Sequence, residues 1–221
     1  YNFTSHTFTS AGVKGWVGAT LTNLREFYGH HPDKWHYSSS YFNVEGSYNG
    51  IQKWTVPVTG SYEIEAAGAS TEWARYSTSY YKRGGRGAIM TGTFTLTQNE
   101  IIKIVVGQMG DVGIHTYDGS GYISGGGGGS YVIKTPYTDT GSILVIAGGG
   151  GGSSGYSNLT SYAKDASTST SGVRGGNNNG GTGGTGGAGG NGSYGGAGAG
   201  FTGDGTTPSG TSAADSAQSF T

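Results

Sequence analysis

Residues 180–192 read GGTGGTGGAGGNG: two glycines and one other residue, four times in strict register. A slack glycine linker needs no period, whereas a period of three is that of the polyproline II-type helix. With glycine at two positions in three, two faces of such a helix are bare, so neighbouring backbones can come close enough to exchange N–H···O bonds. Cα–H···O contacts worth about 0.5–1 kcal/mol each would add to these. Thr182, Thr185, Ala188 and Asn191 then point outward. Collagen is excluded, because it needs one glycine per triplet and abundant proline, and this tract has none. Composition alone favours a flexible linker, since glycine loses the most entropy on ordering. A lattice needs several helices, and Gly125–Gly129 and Gly148–Gly152, each abutting a strand-like segment, supply further ones. The tracts are therefore expected to be ordered rods stacked on a β scaffold.

The scaffold lies before residue 170. Ile51–Val58, Ser61–Ala67, Ala88–Thr97, Glu100–Val106, Ser130–Thr135 and Ser142–Ala147 carry strand-type patterning, and Tyr1–Phe8 alternates loosely. Ser61–Ala67 sets Tyr62, Ile64 and Ala66 against Glu63 and Glu65, the pattern of a half-buried strand. Glu100–Val106 is almost wholly apolar and should be central. Pro57 has no amide proton, so its segment should be at an edge or an end there. Thr59-Gly60, Gln98-Asn99 and the Pro136–Gly141 stretch read as turns joining consecutive strands. One helix is expected, Thr20–Phe27, with Thr20 as its N-cap and Leu21, Leu24 and Phe27 along one side. Six or seven short strands and one short helix predict a mainly β protein, an antiparallel sandwich of jelly-roll type.

The chain has 221 residues, 48 of them glycine, roughly three times the usual share of about 7%. Net charge is −1, which supplies no basic field for nucleic acid. There is no cysteine, hence no disulfide and no thiolate metal site. No apolar run approaches the ~20 residues of a membrane span. Abundant Tyr, Thr, Ser and Asn with few charges suggests an extracellular, cell-surface or virion-surface location. The start at Tyr1 suggests a removed leader or a piece of a longer chain.

The order NGIQKWTVPVTGSYEIEAAGAS (49–70), GTFTLTQNEIIKIVVGQMG (92–110), GGGGGSYVIK (125–134) and ILVIAGGGGG (143–152) resembles the glycine-rich domain of the anaplastic lymphoma kinase and leukocyte tyrosine kinase ectodomains. Similar glycine-rich proteins occur in phages, other viruses and protists. The start, TFTSAGVKGWVGATLTNLREFY (7–28), resembles that domain too, so the likeness covers about residues 3–205. It implies a tumour-necrosis-factor-like jelly roll with polyglycine II helices inserted between its strands, and binding or assembly rather than catalysis. The receptor domains carry cysteines and this chain has none. The family pattern also continues beyond TSAADSAQSFT (211–221), so further polypeptide is expected. The organisation expected is a β core with glycine-rich insertions over 1–170, a polyglycine II tract packed on it over 171–205, and the start of a continuation over 206–221.

Few motifs offer chemistry. GGSSG (151–155) matches a nucleophile-elbow spacing, but the following YSNLTSYAKD has no helical face to hold the strained turn. His30, His31, Asp33 and His36 surround Pro32, a pattern read as a solvated loop rather than a metal site. Glu63 and Glu65, about 7 Å apart along a strand, read as charges on an outer face. No catalytic, cofactor-binding or metal residue is assigned. The loop from Trp73 to Arg86 mixes Trp73, Tyr76, Tyr80 and Tyr81 with Arg75, Lys82, Arg83 and Arg86. Aromatics beside cations can stack on sugars or bases, which makes Trp73, Arg75, Tyr76, Tyr80, Tyr81 and Arg83 the candidate contacts for a glycan or surface-protein ligand. The same loop could instead pack on the glycine bundle or a neighbouring subunit. Tyr1, Phe3 and Phe8 are the candidate assembly strand, able to complete a neighbour's sheet. Asn2, Asn158 and Asn191 stand in glycosylation sequons. Together these features predict a self-associating structural or adhesive module, with a ligand-binding ectodomain as the alternative.

Overall fold

The computed structural model describes residues 4–14, 17–30, 33–46, 49–72, 74–75, 81–110, 112–115, 121–137, 140–152, 164–169, 171, 203–204 and 206, with backbone alone at 74–75, 81–82, 112–115 and 121–123. Tyr1, Asn2, Phe3, Trp73, Tyr76, Tyr80, Asn158, Asn191, the 153–155 part of GGSSG and the 180–192 tract lie outside the described residues.

The fold is mainly β. Five strands form one antiparallel sheet in the order β1 (Phe42–Val44), β2 (Ile51–Thr55), β7 (Ile101–Val105), β10 (Ser130–Lys134), β11 (Ile143–Ala147). Strands β3 (Gly60–Ala67) and β6 (Ile89–Leu96) pair along their whole length as a second antiparallel sheet, Gly60 opposite Leu96 and Ala67 opposite Ile89. Two small hairpins complete the set: β4 (Ala74–Arg75) with β5 (Tyr81–Lys82), and β8 (Val112–His115) with β9 (Gly121–Ser124).

Apolar alternation decides which face each strand buries. Trp54, Ile102, Ile104, Val132 and Val145 from the larger sheet enter the main core, and Tyr62, Ile64, Ala66, Met90, Phe94 and Leu96 meet them from the smaller one. Each fully buried side chain of this size contributes about 1.5–3 kcal/mol. Glu63, Glu65 and Thr91, Thr93, Thr95 face outward, as the alternation requires. β7 is the middle strand of the larger sheet, in keeping with its apolar sequence. β10 and β11 form the expected hairpin, closed by a turn containing a cis Thr135–Pro136 bond.

Two expected hairpins are absent. Thr59-Gly60 does not return β2 against β3: β2 already has β1 and β7 on its two edges, and Pro57 offers no N–H to extend the ladder, so the chain crosses to the other sheet. Gln98-Asn99 is a turn, with Asn99 in the left-handed region (φ 70°), but it too carries the chain from one sheet to the other.

The helix α1 (Leu21–Phe27) begins as expected at Thr20, whose Oγ1 accepts from Asn23 N–H while Asn23 Oδ1 accepts from Thr20 N–H. Leu24 is fully buried and Phe27 is exposed. Residues 4–10 form no strand. They run along the core instead, with Phe8 packed near Tyr28, Trp35, Phe42 and Trp54. Thr9 is held there by a buried network: its N–H donates to Tyr28 Oη (2.8 Å), Gln52 Nε2 donates to its carbonyl (2.9 Å), and Tyr28 Oη donates to Gln52 Oε1 (2.8 Å). The 30–36 segment is not wholly a solvated loop. A turn of 3-10 helix over Trp35–Tyr37 buries Trp35 and His36 against Tyr28 and Phe42.

Candidate functional site

At one end of the two sheets the strands stop and glycine takes over. Residues 68–71 leave β3, 84–88 enter β6, 107–110 leave β7, 125–129 enter β10 and 148–151 leave β11. None of these segments is helix or strand. Gly84, Gly85, Gly125, Gly126, Gly127, Gly129 and Gly150 are nevertheless buried. Buried backbone must be paired, and here it is paired between segments. Gly68 N–H donates to Ala88 O and Thr71 N–H to Gly85 O. Ala88 N–H donates to Gly148 O and Gly85 N–H to Gly151 O. In both pairs of segments the bonds recur three residues apart. Ala69 N–H reaches Gly128 O, Gly150 N–H reaches Ala69 O, Gly127 N–H reaches Gly150 O, and Gly151 N–H reaches Lys164 O.

The 148–151 segment thus bonds to four others: 68–71, 84–88, 125–129 and the stretch at Lys164. A strand in a sheet has two hydrogen-bonded neighbours at most. Bonding in more than two directions makes these segments a three-dimensional bundle of backbone, not a sheet.

Close approach, not backbone torsion, is why these residues are glycine. Their φ angles lie outside the left-handed region, so an L-residue could adopt them. A Cβ would collide with neighbouring backbone. On Gly87 it would lie 2.8 Å from Gly68 Cα, on Gly85 2.7 Å from Gly151 N, on Gly107 2.8 Å from Gly128 C and on Gly149 2.7 Å from Gly128 O. Cβ atoms essentially never come within 3.0 Å of a non-bonded heavy atom. The molecule therefore has a second core, made of main chain, continuous with the side-chain core. Ser130 joins the two: its Oγ accepts from Gly107 N–H (2.9 Å) and donates to Ala67 O (2.6 Å), linking the sheets where the glycines begin.

The array also carries the candidate ligand loop. The chain leaves along 68–71, forms β4–β5 and returns along 84–88. It leaves again along 107–110, forms β8–β9 and returns along 125–129. The two hairpins touch through β4 and β9. Of the six candidate ligand residues, Arg75 and Tyr81 stand directly opposite each other in the β4–β5 ladder. Arg83 follows, its Nη2 3.7 Å from Asp165 Oδ1. That carboxylate also accepts Arg86 N–H, so the 164–166 stretch is tied to the base of the loop.

Of the candidate assembly residues, Phe8 is described, and it lies in this chain's own core. The β8–β9 hairpin, which Val112–His115 and Gly121–Ser124 build, was not expected from the sequence. Its signal was Asp-Gly-Ser-Gly between two Ile-containing runs.

Electrostatics in the scaffold are local. Lys103 Nζ lies 2.9 Å from Glu45 Oε2, and its hydrogen bond holds the Glu45 carboxyl below the usual range. Burial pushes the Tyr131 phenol up to about 12. Burial likewise raises Tyr28, against the opposing hydrogen bonds from Thr9 and Gln52. Among the described residues no three His, Asp or Glu side chains converge as metal ligands, and no helix is long and apolar enough to cross a membrane. No family model matches the chain.

Proposed function

We propose that this chain is a non-enzymatic structural and adhesive module of a cell or virion surface, built to hold short hairpins rigidly away from a β scaffold. The supporting observation is the buried main-chain core: five glycine-bearing segments, in each of which at least one glycine has no room for a Cβ. A flexible tether would not fix neighbours at this distance. The three-residue recurrence of the bonds and the multidirectional pairing support a reading of these segments as polyglycine II-type packing, and the period-three tract at 180–192 is read from its sequence as more of the same material. Two antiparallel sheets joined at the glycine end accord with the jelly roll that the resemblance implies.

Repetition on a surface goes with self-association. Sedimentation velocity and electron microscopy of the purified chain at micromolar concentration should give ordered multimers. A monomer at every concentration would refute the assembly part of this reading.

One observation favours ligand binding as a second role. The touching of β4 and β9 places two separate excursions of the chain side by side at the far side of the array.

A further inference from the structure

We infer that residues 4–9 are exchanged between two copies of this chain, the segment of each copy filling the aromatic groove of the other. The inference rests on the assembly reading above and names the partner, a second copy, and the contact that joins the two. The groove is the one that Phe8 fills. Along 4–9, Ser5 and Thr7 are exposed while His6 and Phe8 are half-buried. The His6 ring lies 4.9 Å from those of Tyr28 and Trp35, and Phe8 lies 6.1–6.5 Å from those of Tyr28, Trp35, Phe42 and Trp54. The main chain is gripped too, because Tyr28 and Gln52 bond the N–H and the carbonyl of Thr9. The 4–9 segment of any copy satisfies these contacts equally.

The chain beyond this segment is fastened elsewhere. Lys14 Nζ pairs with Glu72 Oε1 (2.6 Å), and Gln108, its amide nitrogen turned toward them, donates to the Val13 and Val17 carbonyls (3.1 and 3.3 Å). Between the two anchored stretches lies a turn, Ser10–Val13, closed by a bond from Val13 N–H to Ser10 O (3.0 Å). Both central residues have positive φ, Ala11 at 52° and Gly12 at 76°. Asn-Gly is the pair that suits such a turn. An alanine in the left-handed region holds its Cβ too close to the following carbonyl. The strain thus sits where the segment leaves the body of the fold. A Cβ on Gly12 would meet nothing within 4 Å, so the hinge has room to straighten.

Exchange of an identical segment remakes every groove contact that it breaks, so the balance is decided at the hinge. Straightening the turn relieves Ala11, and in a dimer it does so twice. Short hinges under strain favour exchange for this reason. Two terms oppose it. The turn's bonds, Val13 N–H to Ser10 O and Ala11 N–H to Thr9 Oγ1, are given up to water. The closed form also has the advantage of linkage, an effective concentration of about millimolar for a short connection. Reciprocal exchange closes a twofold dimer and leaves neither groove empty. It places the segment in a neighbour's core, the environment that Phe8 has, rather than along a neighbour's sheet edge.

The test uses the full chain. Wild type, Ala11→Gly and Ala11→Pro are unfolded in urea, refolded over a range of micromolar concentrations and sized by sedimentation velocity. Glycine removes the strain of the closed turn, so Ala11→Gly should raise the dimer dissociation constant by about tenfold or more. Proline cannot take a positive φ and lacks the N–H that Thr9 Oγ1 accepts, so Ala11→Pro should lower that constant by about tenfold or more. Wild-type dimer refolded from equal amounts of isotope-labelled and unlabelled chain should give isotope-filtered NOEs between Phe8 of one protomer and Phe42 and Trp54 of its partner. Dimers or larger multimers in which Phe8 meets those rings only within its own chain would overturn the inference and leave the assembly reading standing. So would equal dissociation constants for wild type and Ala11→Gly. Monomers at every concentration for both wild type and Ala11→Pro would remove both. The glycine variant and the NOEs decide the matter even where the proline variant does not refold.

Discussion

Gly148 and Gly149 are neighbours in one tract, yet the structure assigns them opposite tolerances. A Cβ on Gly148 would meet Ala166 Cβ at 3.8 Å, an ordinary contact. A Cβ on Gly149 would sit 2.7 Å from Gly128 O and closer still to the Gly127 carbonyl. Restoring a 3.4 Å contact with Gly128 O alone moves the two segments apart by about 0.7 Å, and clearing the nearer Gly127 carbonyl takes more. Gly127 N–H···O Gly150 is 2.8 Å and Gly150 N–H···O Ala69 is 2.9 Å, so the same movement carries both beyond the usual hydrogen-bond range of about 3.2 Å. Each bond is worth about 0.5–1.5 kcal/mol net, and each buried group left unpaired costs about 1–3 kcal/mol. Gly149→Ala should therefore destabilise by about 3–5 kcal/mol, a fall in Tm of roughly 6–20 °C for a chain of this size. Gly148→Ala should fall within about 0.5 kcal/mol of wild type, or gain slightly from the smaller entropy of the unfolded chain. Both variants change composition and local propensity alike, so calorimetry of the pair isolates close approach. Equal Tm values for the two would refute a packed main-chain core.

Other consequences follow from single residues. Ser130→Ala should cost about 2–4 kcal/mol by urea denaturation, because Gly107 N–H and Ala67 O lose their shared partner; an unchanged midpoint would contradict the sheet-joining role. Tyr28→Phe should cost a similar amount, about 2–4 kcal/mol, by orphaning Thr9 N–H and Gln52 Oε1, and should increase proteolysis of the 4–14 segment. Thr20→Ala should cost about 1 kcal/mol through loss of the N-cap, readable as a small shift in the same denaturation curve. The Tyr131 phenol is raised from 10.0 to about 12 in the folded state, so the unfolded chain releases this proton first. Its contribution is whole below pH 10 and is lost as pH rises through 12, roughly 2–3 kcal/mol over that window. Tyr131→Phe should flatten this alkaline decline, and an identical pH profile for the variant would count against it.

Much of the scaffold was legible locally. Thr20 with Leu21 and Leu24 marked the helix, the apolar run Glu100–Val106 marked the middle strand, and Pro136 with Gly141 marked a true hairpin turn. Strand partners were not legible at Thr59-Gly60 and Gln98-Asn99, because a turn signal fixes the reversal of the chain and not the sheet that receives it. His36 was misjudged among charged and histidine neighbours, although the adjacent Trp35 signalled burial. The two long described tracts, 125–129 and 148–152, announced themselves by composition. Gly68, Gly85, Gly87 and Gly107 did not. In sequence they look like turn glycines, and what makes them obligatory is a backbone neighbour distant in the chain, such as Gly148 for Gly68. The candidate loop was visible by its cations and tyrosines. The β8–β9 hairpin was not expected, because its Asp-Gly-Ser-Gly turn signal is short and lies among other glycines.

The most direct measurement is residue-resolved amide hydrogen exchange at Gly85, Gly127, Gly150 and Gly151. These four N–H groups donate to backbone carbonyls of other segments. Protection comparable with that of Ile102 and Val132 in the central sheet is the predicted result, since they open only when the fold opens. Exchange as fast as at Gly46, which has open space around it, would contradict the account.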